Sequence, residues 1–127
     1  MKKNIVDSSG WLEYFADASN ADFFAPAIEN VKALIVPSVS IFEVFKHILR
    51  HRSERDAFES IECMLQGTIV DLDLELSLSA AKLGVQHKIP MADSIILATG
   101  FAHNATIWSQ DKDFEGLPSV KYVNKKH

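Results

Sequence analysis

Short apolar runs separated by longer amphipathic stretches recur from one end of the chain to the other, and this alternation most constrains the fold. Asn4-Ile5-Val6-Asp7, Leu34-Ile35-Val36, Thr68-Ile69-Val70-Asp71-Leu72, Ala105-Thr106-Ile107-Trp108-Ser109 and Val120-Lys121-Tyr122-Val123 each read as a buried strand. Helices are predicted through Trp11–Phe15, over about 21–31, from Ser38 or Ser40 through Leu49, over 53–66, over about 74–87, and from Pro90 to about His103. Ser8 and Ser9 are the expected N-caps of the first helix, Ser53 and Asp56 form a capping box, and Gly67 ends the helix that follows. In the third helix Ile41, Phe42, Val44, Phe45, Ile48 and Leu49 are expected to face inward. Strands alternating with helices imply an α/β sandwich whose parallel sheet is covered on both faces. At 127 residues the chain makes one domain, 1–127, with one core.

Charge and cysteine content narrow the chemistry. Thirteen Lys and Arg against seventeen Asp and Glu give a net charge of −4, which argues against binding nucleic acid through a bulk positive field. The single cysteine, Cys63, excludes an internal disulfide and the four-cysteine zinc patterns, and it suits a reducing compartment. No apolar run approaches the roughly eighteen residues needed to cross a bilayer, and Asp7 breaks the first apolar segment too early for a signal peptide. A soluble, cytoplasmic protein with no membrane partner is expected.

The glycines at 10, 67, 84, 100 and 116 have none of the spacings of a dinucleotide fingerprint, a phosphate-binding P-loop or a nucleophile elbow. Cys63, beside Ile61, Met64 and Leu65, is expected to pack rather than react. Glu43, His47 and His51 share a helical stripe and could in principle hold zinc. Against this, Ile48 stands where a zincin helix needs glutamate, and Arg50, Arg52 and Arg55 would repel a dication.

Four acids stand out by placement. Asp7 ends the first strand and Asp111 follows the fourth, so both emerge at the carboxyl edge of a parallel sheet, where ligands gather. Each also has a plain structural reading, Asp7 as a helix N-cap and Asp111 as an Asx turn or the cap of one helical turn. Asp93 opens a strongly apolar helix in line with Ile96, Leu97 and Gly100, either pointing inward over the sheet end or answering the helix dipole. Glu43 lies between Phe42 and Val44, with Lys46 and His47 in reach of a surface ion pair. Brought within roughly 4–6 Å, such like charges need a counter-charge. Magnesium or manganese, hard and oxygen-loving, is the natural one; it lowers the pKa of water and offsets charge on a phosphodiester.

The stretch Ile5–Leu12, Glu43 in the helix after Pro37-Ser38, the Asp93 helix with Ala98-Thr99, and Ser109–Phe114 together resemble the four acidic motifs of PIN domains, and most of all the VapC-type toxins of prokaryotic toxin–antitoxin pairs. The resemblance runs in order from about residue 3 to 123. It implies a three-layer α/β/α fold with a mainly parallel sheet of about five strands and a divalent-metal-dependent endoribonuclease cutting RNA, tRNA being a candidate. It further implies a VapB-like antitoxin and a homodimer. By position it makes Asp7, Glu43, Asp93 and Asp111 the catalytic metal-site acids using Mg2+ or Mn2+, with Asp113 a weaker fifth. Ser8 falls where Ser or Thr is common, Ser109 where Thr is more usual, and Gln110 where Asn is common.

Lys46, His47, Arg50, His51, Arg52 and Arg55 form a basic run that either contacts RNA phosphate or the antitoxin, or is an ordinary solvated helix end. Trp11, Phe15, Phe23 and Phe24 exceed what one helical stripe needs, and serve either the core or an interface. Two other functions compete with the nuclease: a PIN-like binding module with a silent site, and a receiver-type phosphoacceptor domain with Asp71 as acceptor. Against the receiver, serines follow Asp7 where an acid is expected, and Lys121 lies within a strand with no proline after it.

Overall fold

In the computed structural model, which describes residues 1–126, the alternation becomes a five-stranded sheet in the order β3-β2-β1-β4-β5. The strands are β1 (Lys3–Val6), β2 (Leu34–Pro37), β3 (Thr68–Val70), β4 (Ala105–Ser109) and β5 (Val120–Tyr122), and every neighbouring pair is parallel. The helices are α1 (Ser8–Phe15), α2 (Ala21–Glu29), α3 (Ser38–His51), α4 (Glu54–Met64), α5 (Leu74–His87) and α6 (Met91–Ala102), with single 3-10 turns at Val31–Ala33 and Lys112–Phe114. Because β1 lies between β2 and β4, the chain winds outward to β3 and then returns to the other side of β1. That reversal opens a crevice beyond the carboxyl ends of β1 and β4.

Successive strand residues point to opposite faces, which divides the core in two. Val6, Leu34 and Val36 pack with Trp11, Phe24, Ile28, Val44, Ile48 and Met64, from α1 to α4. Ile5, Ile35 and Ile107 turn the other way onto Ile96, Leu97 and Phe114. Helix α6 is buried from Ser94 through Gly100, as a helix that is apolar all round must be, and α5 covers it through Leu76 and Ala80. The result is the three-layer α/β/α sandwich.

Local details correct three expectations and decide a fourth between its two alternatives. The N-cap of α1 is Asp7, whose carboxylate accepts from the Gly10 N–H; Ser8 and Ser9 lie inside the helix. Phe42 and Leu49 are 63% and 45% exposed, while Val44 and Ile48 take the inward stripe, because α3 is flanked by α1 and α4 and leaves the stripe between Phe42 and Leu49 uncovered. Trp11 and Phe24 belong wholly to the core, with Phe15 and Phe23 packed against it. The third strand stops at Val70, leaving Asp71 and Leu72 exposed beyond it. The Ser53 cap is as expected, accepting from the Asp56 N–H at 3.0 Å.

Gly10 sets how closely α1 can approach the sheet. A Cβ there would lie 2.6 Å from both Val6 Cγ1 and Phe24 Cε1, whereas at Gly100 the clash, 2.7 Å, is with the terminal Cδ1 of Ile107. Gly10→Ala is therefore expected to lose about 1–3 kcal/mol to overpacking, outweighing its gain in helix propensity, and to lose more than Gly100→Ala. Urea denaturation of the two variants checks the order; a neutral Gly10→Ala would contradict the tight seat of α1.

Candidate metal centre

The site assembles at the crevice that the strand order creates. Asp7 leaves β1 and is 2% exposed. Its Oδ1 accepts from the Ser9 hydroxyl at 2.8 Å and the Gly10 N–H at 3.1 Å, and its Oδ2 from the Ser109 hydroxyl at 3.0 Å. Burial nevertheless pushes this carboxyl up to about 7, outweighing those hydrogen bonds, and the charge of Asp111 adds to the rise. Ser109 ties the two strand ends together, for its Oγ also accepts from the Asp111 N–H at 2.9 Å.

Asp111 opens the 3-10 turn after β4, its Oδ1 accepting from the Asp113 N–H at 2.9 Å. The structural reading of this residue as a cap is thus correct, and it leaves Oδ2 available. Asp93, half-buried in the first turn of α6, faces the same point. Asp93, Asp111 and Asp113 each offer a carboxylate oxygen, all within 4.8 Å of one another. Burial first, then the charges of Asp111, Asp7 and Asp113 and a hydrogen bond with Asp113, push Asp93 up to about 8. Among the described residues no Lys or Arg forms an ion pair with any of these acids. Three oxygen donors without a cation, two of them from one turn, match the ligand chemistry of a hard dication.

Asp113, expected as the weaker acid, is thus in the tight group, and Asp7 stands beside it with its oxygens already engaged. Glu43 is not in that group. Its Oε1 accepts from the Ser8 hydroxyl at 2.5 Å, which joins α3 to the start of α1 directly after Asp7. The ion pair expected between Glu43 and Lys46 is absent among the described residues; Lys46 instead lies over the Phe42 ring, 5.7 Å from its centroid.

The sequence reading missed a buried polar network behind the site. Glu13 is buried on α1, and its two oxygens accept from Gln110 Nε2 at 3.0 Å and the Asn20 N–H at 2.9 Å. Burial opposes its charge, but these bonds and the nearby Lys125 outweigh that and hold its pKa below the ordinary glutamate value. An acid between Leu12 and Tyr14 on a short helix carries no sequence signal of burial.

The basic run divides in two. Arg52 pairs with Asp56 and Arg55 with Glu59, both at 3.2 Å and one turn on, exposed pairs of small energetic weight. Lys46 and Arg50 have no acidic partner among the described residues and line a hollow of about 230 Å³ with Phe42, Glu43 and the two histidines. His47 and His51 stack with ring centroids 4.4 Å apart, but no His-containing metal group exists among the described residues. Burial pushes the half-buried Cys63 thiol up, consistent with an unreactive packing residue.

A PIN domain family model matches residues 5–119. Among solved structures, a toxin–antitoxin complex from Klebsiella pneumoniae superposes with a TM-score of 0.78 at 20% identity, covering 94% of this chain and 96% of that one. The sarcin–ricin loop cleaving toxin VapC20 of Mycobacterium tuberculosis gives 0.75 at 16% identity, over 93% and 98%. DNA-bound VapBC from Salmonella typhimurium gives 0.74 at 11% identity, over 98% of each chain. No curated protein matches the sequence. No helix among the described residues is long and apolar enough to cross a membrane. With the family model spanning nearly the whole chain and the acids gathered where its strand order opens a crevice, the chain belongs to the PIN domain family.

Proposed function

We propose that this protein is a divalent-metal-dependent endoribonuclease, the toxin of a VapBC-type pair held in check by a VapB-like antitoxin. The observation that carries the reading is the Asp93–Asp111–Asp113 triplet, three carboxylates within 4.8 Å at the switch point of a PIN fold. Asp93, Asp111 and Asp113 would hold Mg2+ or Mn2+. Asp7 serves from beneath, fixing Ser109 and adding negative potential, and Glu43 braces α3 against α1 through Ser8. When bound, such a cation acidifies water and offsets charge on a phosphodiester.

Lys46 and Arg50, without acidic partners of their own, are the residues of the basic run best placed to meet RNA phosphate. Arg52 and Arg55 are partly neutralised by Asp56 and Glu59 and contribute less. The likeness to toxin–antitoxin complexes supports the antitoxin partner and, with it, a cytoplasmic role. Exposed Leu74, Leu78 and Val85 on α5, with Met91 at the start of α6, support a homodimer.

Cleavage of total cellular RNA by the antitoxin-free protein is the direct test. Activity should require Mg2+ or Mn2+, vanish with chelator, and fall at least about 100-fold in Asp93→Asn and Asp111→Asn, equivalent to about 2.7 kcal/mol in the barrier. Equal cleavage by these variants would sink the assignment. A folded wild type that binds metal but cuts no RNA would favour the binding-module reading.

The raised carboxyl groups fix a pH dependence. The folded, metal-free protein keeps protons on Asp7 up to about 7 and on Asp93 up to about 8, whereas the unfolded chain loses them near 3.8. The folded state binds more protons across that window, so these groups make stability fall as pH rises from about 4 to 8. Metal must displace the same protons, so Mn2+ affinity should climb over pH 6–8.5 with proton release on binding. Melting curves with and without Mn2+ at pH 6 and 8.5 check both signs. Mn2+ should stabilise more at the higher pH, and a pH-independent affinity would contradict the assignment.

A further inference from the structure

Behind the acidic triplet lies a group of buried polar side chains that the proposed chemistry leaves unexplained. Gln110, 3% exposed, sits between the two residues that define the site's corner, Ser109 and Asp111. Its Nε2 donates to Glu13 Oε1 at 3.0 Å and to the Ser9 carbonyl at 3.4 Å, and its Oε1 accepts from Asn20 Nδ2 at 2.9 Å. The other hydrogen of Asn20 Nδ2 goes to the Asn124 carbonyl at 3.0 Å, and the Asn20 N–H goes to Glu13 Oε2 at 2.9 Å. We infer that Glu13, Gln110 and Asn20 are positioning residues that lock the Ser109–Asp111 corner and so hold the Asp111 carboxylate against Asp93 and Asp113.

The hydrogen bonds run in one direction only. An ionised glutamate can only accept, so Glu13 draws the NH2 of Gln110 toward α1, which leaves the carbonyl of Gln110 for the Asn20 amide. A flipped Gln110 would set oxygen against oxygen and NH2 against NH2. Its rotamer is therefore determined, and the backbone that carries it is anchored to α1 and to the α1–α2 loop. From that backbone Ser109 reaches Asp7 and Asp111 reaches the triplet. Restraint is needed there because Asp93, Asp111 and Asp113 bring carboxylate oxygens within 4.8 Å of one another, and an unrestrained corner would relieve the crowding of like groups by swinging Asp111 into water. Supporting groups of this kind commonly change metal affinity by about 10–100-fold when removed.

The inference rests on the triplet being the metal site, and the test separates the two. Gln110→Met keeps the length of the side chain and removes its hydrogen bonds. In the metal-free protein, amide exchange of Asp111 and Asp113 should accelerate at least about tenfold while that of β1 amides holds, because the bonds those two amides make belong to the corner itself. By calorimetry the Mn2+ Kd should rise by about tenfold or more. The exchanged pair Glu13→Gln with Gln110→Glu rebuilds the bonds between the two side chains and to Asn20, and should restore slow exchange at Asp111. Asn20→Ala, which leaves the Glu13–Gln110 bond in place, should show a smaller shift in the same direction and serves if Gln110→Met does not fold. Unchanged exchange and unchanged Mn2+ affinity in Gln110→Met would overturn the inference. So would acceleration spread evenly over β1 and the corner, which is the mark of a merely structural role. A wild type that binds no Mn2+ refutes the metal assignment, while exchange at Asp111 still decides the positioning role.

Discussion

The parallel pairing of β1 with β4 is the contact on which the rest of the molecule depends. Lys3 to Val6 pair in register with Ala105 to Trp108, so Asp7, the first residue past β1, lies beside Ser109, the last residue of β4. Strand β2 occupies the other edge of β1, and the two halves of the chain diverge at this seam. A parallel sheet directs every strand's carboxyl end to one side, and the divergence leaves that side uncovered where β1 and β4 meet. Helix α6 then needs only to begin there for Asp93 to join the acids of the turn after β4.

What gathers at the seam is electrostatically unfavourable in isolation. Asp7 is buried, Asp93 half so, and the charges of Asp111 and Asp113 raise the proton affinity of Asp93 further. The protein holds this arrangement with neutral donors rather than cations: two serine hydroxyls and one backbone N–H on Asp7, and the amide network of Gln110 and Asn20 behind. The three clustered carboxylates have no Lys or Arg paired with them among the described residues, while Lys46 and Arg50 lie on α3 without acidic partners.

Most of the fold was legible because short apolar strands and amphipathic helices differ in period, and the five strands and six helices fall where the pattern places them. Burial of individual side chains was less so. Phe42 and Leu49 share a helix with Val44 and Ile48, and hydrophobicity alone does not say which stripe a neighbouring helix will cover. At the site, Asp7, Asp93 and Asp111 were identifiable by their positions at strand and helix ends. The rank of Asp113 and the partner of Glu43 were not, because each depends on a hydrogen bond made after the chain has folded, one within a 3-10 turn and one across helices 35 positions apart.

The sequence by itself determined the layer architecture, the parallel sheet and the elements whose ends carry acids, since these follow from local periodicity and from the rule that parallel strands need helical crossovers. Only the tertiary structure decided which acids share a point in space, that the Glu43 carboxylate turns to Ser8, and that Glu13, Asn20 and Gln110 meet at all. Glu13 and Gln110 are 97 positions apart, and nothing local distinguishes them from solvated polar residues. They meet because α1 packs on β1 and β4 and buries both, after which their hydrogen bonds are met by each other, by Asn20 and by the Ser9 carbonyl.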